Sequence, residues 1–240
     1  RDKNRIAIQG DILGGAAMGV CNVLCLTGDG VQAGDHPQAK PVFDLDSTSL
    51  LGIARGLRDD HHFESGRKIS FAPRVLLGAA ENPNVSPVEH RAVRLAKKIA
   101  AGAQFVQTQY CYDIPLLRRF MTAVEDAGLL EQVFILIGVG PLRTAKSGEW
   151  MRKNVPGIHI PDSVIERMKG AEDQTREGLN LCVDLIQEVR TIKGVSGVHV
   201  MAYRQEEAVA EVIDRSGILA GRTPWFPGRD QQINEDRKLS

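Results

Sequence analysis

The sequence predicts an α/β fold on a parallel sheet, closed as a (β/α)8 TIM barrel. Three observations lead there. Near-continuous apolar runs of strand length alternate with stretches whose apolar residues recur at helical spacing. The runs lack the alternation of a sheet with one wet face, as expected for strands covered on both sides. The unusual polar residues follow the runs, at the strand ends where a parallel barrel carries its working groups. An open doubly wound sheet is the competing arrangement. No GxGxxG or Walker A loop follows any run, which weighs against a nucleotide-binding sheet of that kind.

The elements run in order. Lys3 to Met18 has a helical pattern with no strand ahead of it. The first strand, Asn22–Leu26, ends in Thr27-Gly28-Asp29 and a Gly/Pro-rich loop. The second, Val75–Ala80, runs into Glu81-Asn82-Pro83, and Val88, Ala92, Leu95, Ala96 and Ile99 then share one helix face. Phe105–Gln109 is the third strand; its end, "TQYCYD", supplies Thr108, Gln109 and Asp113. Leu116, Leu117, Phe120, Met121 and Val124 form the next apolar face. Val133–Ile137 leads into Gly138-Val139-Gly140-Pro141, and a third face gathers Leu179, Cys182, Val183, Ile186 and Val189. The last strand, Val198–Met201, ends in Tyr203-Arg204 before a helix carrying Ala208, Val209, Val212 and Ile213. Gly102, Gly128 and Gly217 stand where helices should be capped.

This organisation gives a barrel over residues 1–220 and a polar, aperiodic tail over 221–240, with Trp225 and Phe226 able to anchor the tail. Five strands are fewer than the eight of a complete barrel. The expectation is that about two βα units and one strand precede Arg1, because a barrel without them would expose long sheet edges.

Composition narrows the function. Thirty basic residues balance thirty acidic ones, which argues against nucleic acid or an anionic membrane as the main partner. No apolar run reaches the length that crosses a bilayer, and no signal peptide opens the chain, so the expectation is a cytoplasmic protein. Cys21, Cys25, Cys111 and Cys182 match no zinc or redox spacing and read as reduced core residues. "DDHHFE" (59–64) resembles metal-ligand material but has no second ligand cluster near it. His36, His90, His159 and His199 are scattered and pair with no nucleophile motif. No metal is expected.

Polar residues at five strand ends collect on one rim, and together they favour a ligand site there. Arg91, Arg94 and Lys98 form a basic stripe beside an apolar helix face. Spacing alone leaves two readings open: an ordinary solvated edge, or a cradle for an anion such as a pyrophosphate.

Three motifs in combination carry a resemblance: "NVLCLTGD", "GDHPQAKPVFDLDSTSLL" and "KKIAAGAQFVQTQYCYD". Over nearly the whole chain, to about Gly217, the sequence resembles the methylenetetrahydrofolate reductase family. The resemblance implies a barrel carrying FAD. It implies ping-pong reduction of 5,10-methylenetetrahydrofolate to 5-methyltetrahydrofolate, with NADH, NADPH or another donor supplying the hydride. Thr27, Gly28 and Asp29 match the family's turn under the flavin. The Asp29 carboxylate is then placed to stabilise the cationic iminium form of the folate. Gln109 matches a glutamine that hydrogen-bonds the pterin, and Arg204 a substrate-side arginine. Phe43 and Asp44 align with a segment lining the adenosine and ribityl part of FAD. Ala79 and Asn82 fall on the flavin-side loop, and Arg91, Arg94 and Lys98 on helix positions that face the cofactor. Trp150 or Met151 falls where some relatives place an aromatic over the folate.

The family's general-acid glutamate, near the end of the first barrel strand, has no counterpart in this chain. That keeps a rival in view: a non-catalytic barrel subunit that binds folate or FAD. An unrelated lyase or aldolase barrel would need a Schiff-base lysine or a metal cluster at the rim, and no strand ends in either. A homo-oligomer is compatible with all of these readings.

Overall fold

The computed structural model of the chain describes residues 2–222. Most of the expected tail, with Trp225 and Phe226, lies outside the described residues. The elements are α1 (Arg5–Ala17), β1 (Asn22–Cys25), α2 (Ser47–Arg55), β2 (Leu76–Glu81), α3 (Val88–Ala101), β3 (Phe105–Tyr110), α4 (Ile114–Asp126), β4 (Phe134–Val139), α5 (Ala145–Asn154), α6 (Asp162–Lys169), α7 (Gln174–Val189), β5 (Val195–Val200) and α8 (Ala208–Ser216).

The strands form one parallel sheet in the order β1-β2-β3-β4-β5. That order separates the two architectures left by the sequence. A doubly wound sheet reverses direction part-way, whereas here every crossover steps the same way. Same-handed crossovers that always advance in one direction put their helices on one face, as in a barrel wall. The five strands are therefore an arc of a barrel. Among the described residues, β1 and β5 are the outer strands. β5 is only half-buried along its whole length.

Local chemistry explains where helices start. Asn4 caps α1 by accepting from the Ala7 N–H. Asp46 with Ser49, and Thr144 with Ser147, make reciprocal capping boxes at α2 and α5. Asp113 and Asp173 cap α4 and α7. Gly102, Gly128 and Gly217 take positive φ just past α3, α4 and α8, as their positions predict. The inner faces of the helices meet the sheet through fully buried Leu51, Leu95, Leu117, Phe120 and Ile186, packed over Leu77, Ile135 and Ile137.

The differences from expectation have physical causes. α2, α5 and α6 have no counterpart among the expected helices. α5 buries only Ala145 and Gly148, and α2 and α6 are short helices with three buried residues each, although Val164, Ile165 and Met168 of α6 do share a face; α2 and α5 open with capping boxes. β5 begins at Val195, earlier than expected, because Ser196 and Gly197 interrupt the apolar run; the ladder with β4 shifts register there, Ile135 pairing with Val195 and Leu136 with Gly197, and then continues. Cys25, Cys111 and Cys182 are buried free thiols, but Cys21 is exposed. It sits just ahead of β1 at the outer edge of the sheet, where its thiol donates to the Gly19 carbonyl (3.2 Å).

Candidate functional site

At the C-terminal ends of β1, β2, β3 and β5 lies a cleft of about 410 Å3. Its floor comes from alternate strand residues, as a barrel interior requires: Leu24, Ala80, Gln107 with Gln109, and His199 with Met201. Its side is α3, which presents Arg91, Arg94 and Lys98 together. The basic stripe read from spacing therefore faces the strand ends.

The three cations are not equivalent. Arg94 has no hydrogen bond or ion pair among the described residues. Arg91 gives its Nε–H to the Val85 carbonyl (3.0 Å) and keeps its terminal nitrogens. Lys98 is committed: Nζ donates to the Ala80 carbonyl (2.5 Å) and to Glu81 Oε2 (2.8 Å). Both side chains of that pair are buried, at 8% and 2% exposure. The other oxygen of Glu81 accepts from the Asn82 N–H (3.0 Å). In the sequence, Glu81 reads only as a polar rim residue. Helical spacing shows which face Lys98 occupies, but not the charge lying across from it on β2.

Thr27 lines the cleft, and its hydroxyl accepts from the Ser47 N–H (2.9 Å), tying the β1 loop to the start of α2. Gly28 follows with φ of 80°, a left-handed conformation that costs a side-chain-bearing residue. Asp29, two residues beyond Thr27, is exposed and has no hydrogen bond or ion pair among the described residues. It stands outside the lining of the cleft. Asn82 lines the cleft and braces its far wall, donating to the Gly157 carbonyl and accepting from the Asn84 N–H, each at 3.0 Å.

Gln109 holds a central position. Its Oε1 accepts from the Tyr110 N–H (3.0 Å), which leaves the amide NH2 without a partner among the described residues. The same residue lines a second cleft of about 500 Å3, formed with Tyr110, Pro141, Arg143, Trp150, Met151, Tyr203 and Arg204. Arg204 adopts φ of 56° and lies 5.2 Å over the Tyr203 ring. Tyr110 donates to the Met201 carbonyl (2.9 Å), and stacked Tyr112 donates to the Gly140 carbonyl (3.0 Å). Gly140 is required there, since a Cβ would come within 2.0 Å of the Met201 carbonyl oxygen. The second cleft is mostly apolar and aromatic, with arginines at its edge, and only Arg204 among its cations stands out from the sequence.

Of the expected site residues, Thr27, Asn82, Arg91, Arg94, Lys98 and Gln109 meet in the first cleft, and Arg204 joins Gln109 in the second. Others lie apart. Ala79 is packed in the core, and its neighbour Ala80 takes the cleft position, a one-residue step that switches sheet faces. Asp44 is gripped by Arg5, through the backbone N–H (2.8 Å) and a two-pronged guanidinium contact. That partnership lowers the Asp44 carboxyl to about 2. Phe43 is largely exposed and also outside the cleft lining.

Among the described residues lining the cleft, Arg91, Arg94 and Lys98 face one carboxylate, that of Glu81, leaving two positive charges over. Burial lowers the pKa of His199, which favours the neutral ring, and raises the Cys25 thiol to about 11. The cleft can therefore hold an anion against two guanidinium forks, while Thr27, Asn82 and Gln109 supply neutral hydrogen bonds. Among the described residues no three His, Cys, Asp or Glu converge as a metal site, and no helix is long and apolar enough to cross a membrane. Residues 59–64 do not converge: Asp59 pairs with Arg58, and His62 bridges to Lys68.

The family model "Methylenetetrahydrofolate reductase" matches residues 1–217. Methylenetetrahydrofolate reductase 2 of Schizosaccharomyces pombe is 25% identical over 239 residues, covering 92% of this chain and 34% of the relative. Methylenetetrahydrofolate reductase 1 of the same organism is 24% identical, covering 84% and 32%. Methylenetetrahydrofolate reductase 2 of Saccharomyces cerevisiae is 26% identical, covering 63% and 26%. The chain thus spans a third or so of these relatives' lengths at most, the largest share being 34%. Among solved structures, it is similar to an uncharacterized Clostridium thermocellum protein described as binding two copies of 5-methyl-5,6,7,8-tetrahydrofolic acid. That likeness has a TM-score of 0.52 at 17% identity, covers 81% of this chain and 69% of that one, and is a likeness of fold.

Proposed function

Because the chain belongs to the methylenetetrahydrofolate reductase family, we propose that it forms the flavin- and folate-binding arc of a barrel that reduces 5,10-methylenetetrahydrofolate to 5-methyltetrahydrofolate. The observation that carries this reading is the pair of adjoining clefts joined at Gln109, one cationic and one apolar.

The cationic cleft suits a phosphate-bearing cofactor. Arg91 and Arg94 have guanidinium nitrogens to give, and among the described residues lining the cleft the one acid, Glu81, is paired with Lys98. Bound there, FAD would be held by Thr27, Asn82, Arg91 and Arg94, with Gly28 and Asp29 in the turn that follows Thr27, and would supply hydride transfer from NADH, NADPH or another donor to the folate. Lys98, committed to Glu81, and Phe43, Asp44 and Ala79, which lie outside the cleft lining, are not among its contacts. The chain's own groups do the rest. The unpartnered amide of Gln109 donates to the pterin. Asp29, with no cation partner among the described residues, offers its carboxylate to the positive iminium carbon–nitrogen unit that accepts hydride. The second cleft takes the aromatic stem of the folate between Trp150, Met151 and Tyr203, with Arg204 at its edge. Such an enzyme belongs in the cytoplasm, in one-carbon metabolism that feeds methionine synthesis.

One observation favours the rival non-catalytic binding subunit: among the described residues, the only carboxyl group lining the cleft, Glu81, is already engaged by Lys98 and the Asn82 N–H. FAD titration monitored by flavin fluorescence tests the cofactor half of the proposal. Saturable binding that weakens at least tenfold in Arg91→Glu/Arg94→Glu is expected, from two reversed charges next to a diphosphate, at about 1.4 kcal/mol per decade. Failure to bind FAD, or binding indifferent to the double reversal, overturns it.

A further inference from the structure

Lys98 and Glu81 make an ion pair buried at the floor of the cationic cleft, 2.8 Å between Nζ and Oε2, with the Ala80 carbonyl as a second acceptor for the ammonium. The pair lines the space an anionic ligand would enter, beside Arg91 and Arg94. An ammonium that already faces a carboxylate and a carbonyl has little to offer a phosphate. Its charge is cancelled at close range, and withdrawing it would strand a carboxylate at 2% exposure. Among the described residues no other carboxylate lines the cleft.

We infer that Glu81 is the residue that sets the anion affinity and selectivity of this cleft: it cancels the charge of Lys98, so that a bound diphosphate meets two arginines rather than three cations. The inference rests on the reading of the cleft as a cofactor site and deepens it. Glu81 acts through Lys98 and is a positioning residue. Its consequence is discrimination. Two guanidinium forks at fixed positions reward an oriented diphosphate through paired hydrogen bonds, whereas a third, uncompensated cation would raise affinity for any polyanion by simple Coulomb attraction. The arrangement therefore trades raw anion affinity for ligand selectivity.

The test removes the carboxylate's charge and reads binding without relying on the flavin. Glu81→Gln keeps the shape and the acceptor for the Asn82 N–H; Glu81→Met removes the charge without it, and circular dichroism at the assay temperature shows which variant is folded. Inorganic pyrophosphate and FAD are each titrated by calorimetry against the wild-type protein, the folded variant and Glu149→Gln. The last is a charge-matched control on α5, where Glu149 pairs with exposed Lys169. The expected result is an approximately tenfold gain in pyrophosphate affinity on losing the Glu81 charge, with a steeper loss of binding as salt rises, because one more cation is then unshielded. Adding Lys98→Met removes that gain, and Glu149→Gln shows none. The ratio of FAD to pyrophosphate affinity falls in the Glu81 variant. Unchanged pyrophosphate affinity and salt dependence in a folded Glu81 variant would overturn the inference, as would a gain that survives loss of Lys98. Wild-type protein that binds pyrophosphate but not FAD would instead defeat the flavin reading and leave the role of Glu81 standing on the pyrophosphate arm.

Discussion

Replacing Lys98 by methionine should be among the most damaging single changes in this chain, although it puts an apolar residue at a buried position. The carboxylate of Glu81 is 2% exposed and accepts from Lys98 Nζ and the Asn82 N–H. Once the ammonium is gone it keeps the backbone donor alone. Removing one partner of a buried pair costs about 3–5 kcal/mol. At about 2–4 °C per kcal/mol for a domain of this size, melting should fall by roughly 6–20 °C. Most of that is the cost of a stranded charge, so it should vanish when the charge goes too. Lys98→Met/Glu81→Met should recover more than half of the loss, a coupling of at least about 1.5 kcal/mol in a double-mutant cycle. Water and salt reach the pair poorly, so the effect should be the same at low and high ionic strength. Urea unfolding followed by circular dichroism gives each corner of the cycle. A loss below about 1 kcal/mol for Lys98→Met, or additive single losses, would refute the account of this pair as buried and mutually dependent.

Two further outcomes follow from other groups. Asp29→Asn should slow folate reduction by about ten- to a hundredfold in stopped-flow assays while slowing the donor half-reaction much less, because only the first develops positive charge beside the carboxylate; equal slowing of both would remove Asp29 from the folate role. Asp44, lowered from 3.8 to about 2 chiefly by the Arg5 side-chain hydrogen bonds, contributes stability that is present above its ordinary value and lost as pH falls through about 2. Asp44→Asn should therefore lower the melting temperature near neutral pH, with the gap to wild type closing as pH is taken down to about 2; a gap that persists there would mean the Arg5 contact is not its source.

The parts of this fold that can be read in the sequence are those with a period. Five apolar runs locate the strands to within a few residues, and the glycines after α3, α4 and α8 mark the helix ends. The direction of the basic stripe on α3 is legible because three side chains at i, i+3 and i+7 share one helix face. What depends on a partner distant in sequence is hidden. Lys98 and Glu81 are 17 positions apart and Arg5 and Asp44 are 39 apart, and nothing in local spacing couples either pair. Ala79 shows a second limit. Resemblance places a residue to within one position, but a strand turns that single position to the opposite face. The second cleft is legible in part: Gln109, Pro141, Tyr203 and Arg204 come from strand ends and Trp150 or Met151 from the resemblance, whereas Arg143, Ser147, Val155 and Ile158 do not stand out, because α5 is short and polar and announces itself by its cap rather than by its period.

The central claim, that the two clefts serve hydride transfer to a folate, is tested most directly by the visible spectrum of the FAD-loaded protein under anaerobic conditions. Flavin absorbance near 450 nm (an approximate position) should bleach on addition of NADH or NADPH and return on addition of 5,10-methylenetetrahydrofolate, with 5-methyltetrahydrofolate formed in equal amount. Flavin bands that bleach with the donor and stay bleached with the folate would contradict the account and leave a binding subunit without the reductase reaction.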